Sequence, residues 1–268
     1  MIRIWRLSLG LTLLCLTLCP SPAAAEAPTG VPVFCYHRFG PVVADSTTIT
    51  TAVFESQVKW LADNHYTVIP LRTVVDWLRG QGPPPPPQSV VITVDDGHRS
   101  VYTEMLPVAR RYSIPVTLFI YPSAISHAPY AMTWDQLKEL KQTGLFDIQS
   151  HSYWHPDFKR EKKRLAPAAY QKLVEDQLKR SRTVLEEKSG SPVDILAWPF
   201  GIYDEALERD AAQAGFVAAF SIEGRHATPS DPLMAIPRYV IGNGVGPKAL
   251  QSIVSGRAIG KTPTGYAR

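Results

Sequence analysis

The chain has 268 residues with a formal charge of +4. That length suits one substantial core, and the weak charge implies no nucleic-acid partner. Residues 1–25 read as a secretory signal: Arg3 and Arg6, an apolar run from Leu7 to Cys19, then Ala23-Ala24-Ala25. The run is about a dozen residues against the roughly 20 that span a bilayer. Cleavage before Glu26, export to the periplasm or beyond the cell, and no stable membrane span after cleavage are therefore expected. Cleavage removes two arginines and no acids, taking the charge to +2 over the remaining 243 residues. It also leaves Cys35 as the only cysteine, so no intrachain disulfide can form.

In chain order, short apolar runs alternate with helical patterns, the signature of α/β architecture. Strands are predicted at Val31 to Tyr36, Thr67 to Pro70, Val90 to Val94, Val116 to Tyr121, Phe146 to Gln149, Ile195 to Trp198, Val217 to Phe220 and Arg238 to Ile241. Between them, Phe54, Val58 and Leu61 share one helical face, and Leu173, Val174, Leu178 and Leu185 another. Thr133 and Gln136 form a capping box for a helix that Gly144 stops, and Gly215 ends a helix after Ala206 to Ala214. The run Pro83 to Pro87 lacks amide donors and reads as a stiff connector. The stretch from Gly256 to Arg268 lacks periodicity and reads as a flexible tail. One domain over residues 26–255 is expected.

Thr93-Val94-Asp95-Asp96-Gly97 places two carboxylates just past a β-branched strand. In α/β barrels that edge is where catalytic groups gather, although an isolated Asp-Asp-Gly is more often a turn. Gln149-Ser150-His151-Ser152-Tyr153-Trp154-His155-Pro156 also follows a short strand, and histidines at i and i+4 can share one face of a helical turn and one zinc ion. Pro156 leaves that pair on a loop or a single turn. With Asp96 they supply three N and O ligands and an open fourth position. Zinc is the expected ion, and cobalt or nickel suit the same donors.

Thr93 to Gly97, His151 to Pro156 and Trp198-Pro199-Phe200-Gly201 resemble, in sequence order, the first three motifs of the polysaccharide deacetylase family, carbohydrate esterase family 4, also called the NodB homology domain. The resemblance spans roughly Val31 to Ile241 and implies a distorted (β/α)7-type barrel. It implies Asp96, His151 and His155 as metal ligands, Asp95 as general base and Phe200 as the donor of an oxyanion-binding amide. Two features depart from the family pattern. The arginine usual two residues before the proline is Ala197 here, so Arg238 or Arg99 must tether Asp95, Arg238 being preferred.

The other departure is that no Leu-x-His motif follows Gly201. Instead, Phe34-Cys35-Tyr36-His37-Arg38 resembles the circularly permuted members that deacetylate poly-β-1,6-N-acetylglucosamine, which gives His37 the general-acid role. His226 is a poorer candidate for that role, and His65, His98 and His127 read as structural or surface residues. Tyr121, Trp134, Tyr153, Trp154 and Trp198 lie near strand ends and could stack on sugar, with one or two of them expected to touch it.

The implied activity is metal-dependent release of acetate from an acetylated polysaccharide. A β-1,6-linked exopolysaccharide is favoured by the permuted order, with chitin fragments, peptidoglycan and O-acetylated xylan as alternatives. Readings of a different class are a carbohydrate-binding protein on an inactive scaffold and a structural metal domain. The intact Asp95, Asp96, His151 and His155 speak against the first.

Overall fold

The computed structural model describes residues 29–256. The expected signal segment and residues 257–268 of the expected tail lie outside them. The strands are β1 (Val33–Tyr36), β2 (Arg38–Gly40), β3 (Thr48–Thr50), β4 (Thr67–Val68), β5 (Ser89–Asp95), β6 (Val116–Ile120), β7 (Phe146–Ser150), β8 (Ile195–Ala197), β9 (Ala218–Phe220) and β10 (Tyr239–Val240). The helices are α1 (Thr51–Asp63), α2 (Leu71–Leu78), α3 (Leu106–Tyr112, after a π-helical turn), α4 (Trp134–Gln142), α5 (Phe158–Arg164), α6 (Pro167–Ser189), α7 (Glu205–Gln213) and α8 (Pro247–Val254).

Every expected strand is present within a few residues of its predicted ends. The main sheet is parallel in the order β10-β1-β5-β6-β7-β8-β9, with β4 beside β5. A parallel bridge from Phe220 to Ile236 links β9 to the segment just before β10 and curls the sheet into a distorted single-domain barrel. β10 therefore lies directly against β1, with Phe34 opposite Tyr239. The end of the fold is thereby brought beside its beginning.

Side chains alternate across each strand, and the two faces have different partners. Phe34, Tyr36, Ile92, Val94, Leu118 and Ile120 pack with helix residues Phe54, Val58, Leu61, Leu137, Val174 and Leu178. Val33, Val91, Phe119, Ile195 and Phe220 pack with one another and with Leu71, Val74 and Val75 of α2. The second group fills the barrel and α2 closes its lower end. Because both faces are covered, β5 is buried along its whole length.

The helix signals match as well. Phe54, Val58 and Leu61 are buried on α1. The Thr133–Gln136 capping box forms with both of its hydrogen bonds. Gly144 and Gly215 follow their helices at positive φ, 74° and 91°. On α6, Val174, Leu178 and Leu185 are buried together with the polar Gln177 and Ser181.

The sequence carried no expectation for β2, β3 or α8. β2 and β3 pair only with each other, and α8 is held through its carbonyl at Ile253, which accepts from His226 Nε2 at 2.6 Å. Among the described residues no helix is long and apolar enough to cross a membrane.

Phe54 is fully buried, with ring centroids 5.3 Å from Tyr36 and 4.9 Å from Phe39. Phe54→Ala is expected to lower stability by about 3–5 kcal/mol, read by urea denaturation. A loss under ~1 kcal/mol would mean that α1 does not anchor the first strands.

Candidate metal centre and active site

The site is built on strand ends that point the same way, as a parallel barrel requires. Asp95 is the last residue of β5, and its side chain follows Val91 and Thr93 on the inward face. Asp96 leaves the strand at φ 75° and Gly97 follows at φ 75°, which swings the second carboxylate away from the first. From the end of β7, His151 and His155 sit on an irregular loop and not on a helical turn. Ser152 and His155 both adopt φ 62°. Those two left-handed residues fold the loop back, leaving the imidazole centroids 4.6 Å apart.

Asp96 Oδ1 is 3.8 Å from His151 Nε2 and 3.7 Å from His155 Nε2. Donors about 2.0–2.2 Å from a tetrahedral ion lie about 3.3–3.6 Å from one another, so the three atoms are near that spacing. His151 Nδ1 donates to the Ala197 carbonyl at 2.8 Å, which reserves Nε2 for a ligand bond. Burial pushes His155 down to about 4, with the adjacent His151 acting in the same direction. Burial also lowers His151. Both rings are therefore neutral at physiological pH, the form that binds a metal. The donor set fits a divalent cation of the zinc type.

Asp95 is 2% exposed and faces Arg238, which is wholly buried. Arg238 Nη1 donates to Oδ1 at 2.7 Å and Nη2 to Oδ2 at 2.8 Å. Two more guanidinium donors reach Thr93 Oγ1 and the Ser221 carbonyl, each at 3.1 Å. Burial alone would raise the Asp95 carboxyl. Arg238, with His151 behind it, holds it well below the usual carboxylate range. Of the two arginines offered as tethers, Arg238 makes the contact. Arg99 is exposed and reaches the Pro129 carbonyl.

These groups open on a cavity of about 240 Å³ whose lining includes His37, Asp95, Asp96, Tyr121, His151, His155, Trp198 and Phe200. Segments from residue 37 to residue 240 thus meet at one mouth.

Residues 82–219 match the profile of the family described as Polysaccharide deacetylase, half of the chain. This chain belongs to the polysaccharide deacetylase family. The poly-β-1,6-N-acetyl-D-glucosamine N-deacetylase of Staphylococcus aureus is 26% identical over 202 residues, 73% of this chain and 68% of that one. The Streptococcus pyogenes deacetylase PplD, solved in complex with acetate, superposes with a TM-score of 0.75 at 20% identity, over 85% of this chain and 99% of that one. IcaB from Ammonifex degensii gives 0.70 at 23% identity, over 85% and 97%.

Not every aromatic residue expected to touch substrate lines the cavity. Tyr121 lines the cavity, its hydroxyl 2.7 Å from that of Tyr130. Phe200 stands at the rim, 42% exposed, with its ring edge-on to His155 at 4.5 Å. Trp198 reaches the wall but is 1% exposed, donating to the Met234 carbonyl and packing on Phe158 and Tyr203; most of its ring is core. Trp154, expected against substrate, is outside the lining. Gln177 Oε1 accepts from its amide at 2.9 Å and its ring faces solvent. Tyr153 lies under Arg180 and Trp134 beside Lys188, also outside the lining.

His98 and His226 have structural partners, Ser100 and Ile253. The sequence pattern gives no site role to Arg38, Thr47, Ile222 and Val240, which with Gly201 complete the lining, nor does it reveal the contact of Cys35 Sγ with Asp95 Oδ2 at 3.3 Å. Arg38 was adjacent to a named residue. Thr47 and Ile222 lie in stretches with no periodic signal.

Arg238→Leu would leave a buried carboxylate unpaired, and a loss of about 3–5 kcal/mol at neutral pH is expected. The depressed Asp95 contributes stability that is complete above about pH 3.9 and is lost as pH falls through its folded value. The gap between native protein and variant should therefore narrow on acidification. Urea denaturation across that range checks it, and a pH-independent gap would count against the pairing.

Proposed function

We propose that this deacetylase is an exported, metal-dependent enzyme that removes N-acetyl groups from an N-acetylglucosamine polymer, with a β-1,6-linked exopolysaccharide as the preferred substrate. The observation that carries the chemistry is the convergence of Asp95, Asp96, His37, His151 and His155 on one cavity wall. The substrate is suggested by the named activity of the S. aureus relative and by the position of His37 at the end of the first strand.

In this reading Asp96, His151 and His155 hold the cation. A bound divalent ion of the zinc type would act as a Lewis acid toward the acetyl carbonyl and make water more acidic. Asp95, fixed as a carboxylate by Arg238, accepts the proton of the attacking water. As the new carbon–oxygen bond forms, the backbone amide of Phe200 stabilises the charge gathering on the former carbonyl oxygen. The carbon–nitrogen bond then breaks and His37 delivers a proton to nitrogen, because an amine cannot leave as an anion. Acetate and a free amine result. The apolar barrel floor below Asp95 keeps bulk water away from this exchange.

Residues 1–25 are proposed to be cleaved on export. Residues 26–255 are proposed to form the catalytic domain, with a flexible tail after it.

Acetate release should occur from β-1,6-linked N-acetylglucosamine oligomers, stop with a chelator and return on adding zinc. Chitin oligomers, peptidoglycan glycans and O-acetylated xylan run in parallel would rank substrates, and a preference for any of them would displace the β-1,6 assignment. His37→Ala is expected to keep its metal while turnover falls on the order of 10²–10⁴-fold; unchanged turnover would remove His37 from the mechanism. Asp96→Ala is expected to lose the metal, measured by elemental analysis after dialysis.

A further inference from the structure

Among the described residues, one other group of donors converges outside the proposed ligand trio. Cys35 Sγ, an imidazole nitrogen of His37 and a carboxylate oxygen of Asp95 all lie within 4.8 Å of one another. Cys35 and His37 are two residues apart where β1 ends, so their side chains leave the chain on the same side. Cys35 is opposite Thr93 on β5, which brings Asp95 one inward position further along to the same level. We propose that Cys35, His37 and Asp95 form a second cation site that shares no ligand with Asp96, His151 and His155 but adjoins them, Asp95 Oδ2 lying 3.8 Å from His151 Nε2, and that it takes a thiophilic divalent ion and silences the enzyme when filled.

The donor chemistry selects the ion. The first trio offers nitrogen and oxygen, whereas the second adds sulfur, a ligand that favours zinc and cadmium over magnesium or calcium. Arg238 sits against Asp95 and repels any cation held there by charge alone. A hard ion is therefore excluded, and a metal–sulfur bond is what can overcome the repulsion. On binding, the Cys35 thiol gives its proton to solvent as the sulfur–metal bond forms, with no change in oxidation state. Entry is from the cavity, which His37 and Asp95 line; Cys35 lies behind them, fully buried. The mechanism above gives Cys35 no role, so inhibition would arise only through His37 and Asp95.

Filling the site would occupy the nitrogen that delivers a proton and the carboxylate that accepts one. The inhibitory consequence rests on the roles proposed for His37 and Asp95; the binding does not.

Cadmium titrated into zinc-loaded protein should produce the ultraviolet charge-transfer absorption of a cadmium–thiolate bond, saturating at one equivalent, with activity falling in parallel. Cys35→Ser should abolish the absorption and raise the inhibitory cadmium concentration at least tenfold, scaled to the variant's own uninhibited rate. Cys35→Ala, read by absorption alone, repeats the test if the serine variant folds poorly. Asp96→Ala, which lacks the principal trio, should retain the absorption, so this site can be judged even if the proposed metal mechanism fails. Absorption absent from the native protein, retained in both cysteine variants, or lost in Asp96→Ala would overturn a separate thiolate site. Unchanged inhibition in Cys35→Ser would overturn its inhibitory role.

Discussion

Arg238 and Asp95 face each other with almost no access to solvent, and the arrangement around them follows from that constraint. Withdrawing two charges from water costs several kcal/mol per ion, recovered only when geometry and remaining hydrogen bonds are near ideal. Here both carboxylate oxygens accept from the guanidinium, and two further donors find Thr93 and Ser221. Thr93 Oγ1 in turn donates to the Phe34 carbonyl at 2.7 Å, tying the pair to β1 as well as β5. The pair rests on Phe119, whose ring lies 5.1 Å from the guanidinium carbon. It therefore forms a polar layer over an apolar barrel interior, and loss of either partner would strand a charge there.

Barrel closure is what makes this pair attainable. Arg238 and Asp95 are 143 positions apart in the chain, yet β10 lies beside β1 and β1 beside β5. A tether that the family pattern places at residue 197 comes from Arg238, directly before the last strand, and the histidine proposed as general acid lies at the end of the first strand. Both exchanges keep the functional group on the same ring of strand ends. In a closed ring, position around the axis matters more than order along the chain.

How much was legible in the sequence follows from the same distinction. Strands buried on both faces, such as Val90 to Val94, announce themselves by composition, and the capping box at Thr133 by two residues three apart. Asp96, His151 and His155 were readable because each sits next to such a strand. β2 and β3 were not, since three-residue strands paired only with each other leave no periodic trace. The orientation of Trp154 depended on the φ of its neighbour His155 and on Gln177 of α6 holding the local backbone, neither of which a local pattern encodes. Trp198 lies at the expected strand end, but its burial depends on Phe158 and the Met234 carbonyl, partners remote from it in the chain. The contact between Cys35 and Asp95 needed the register of β1 on β5.

Backbone strain has a related distribution. Eight non-glycine residues among those described have positive φ, and four of them, Asp96, Ser152, His155 and Phe200, belong to the site or its loops. For residues with a Cβ this region costs of order 1–3 kcal/mol each and persists only where surrounding contacts over-determine it. Those contacts are visible: Ser152 Oγ accepts from the His155 amide, Gln177 braces residues 153 and 154, and Asp157 caps α5 directly after the loop. Without these turns, Asp96 would continue along the strand and His155 would run away from His151. The left-handed backbone brings three residues from two segments into one group of donor atoms. The rigid strands beneath them allow that cost to be carried locally without distorting the barrel.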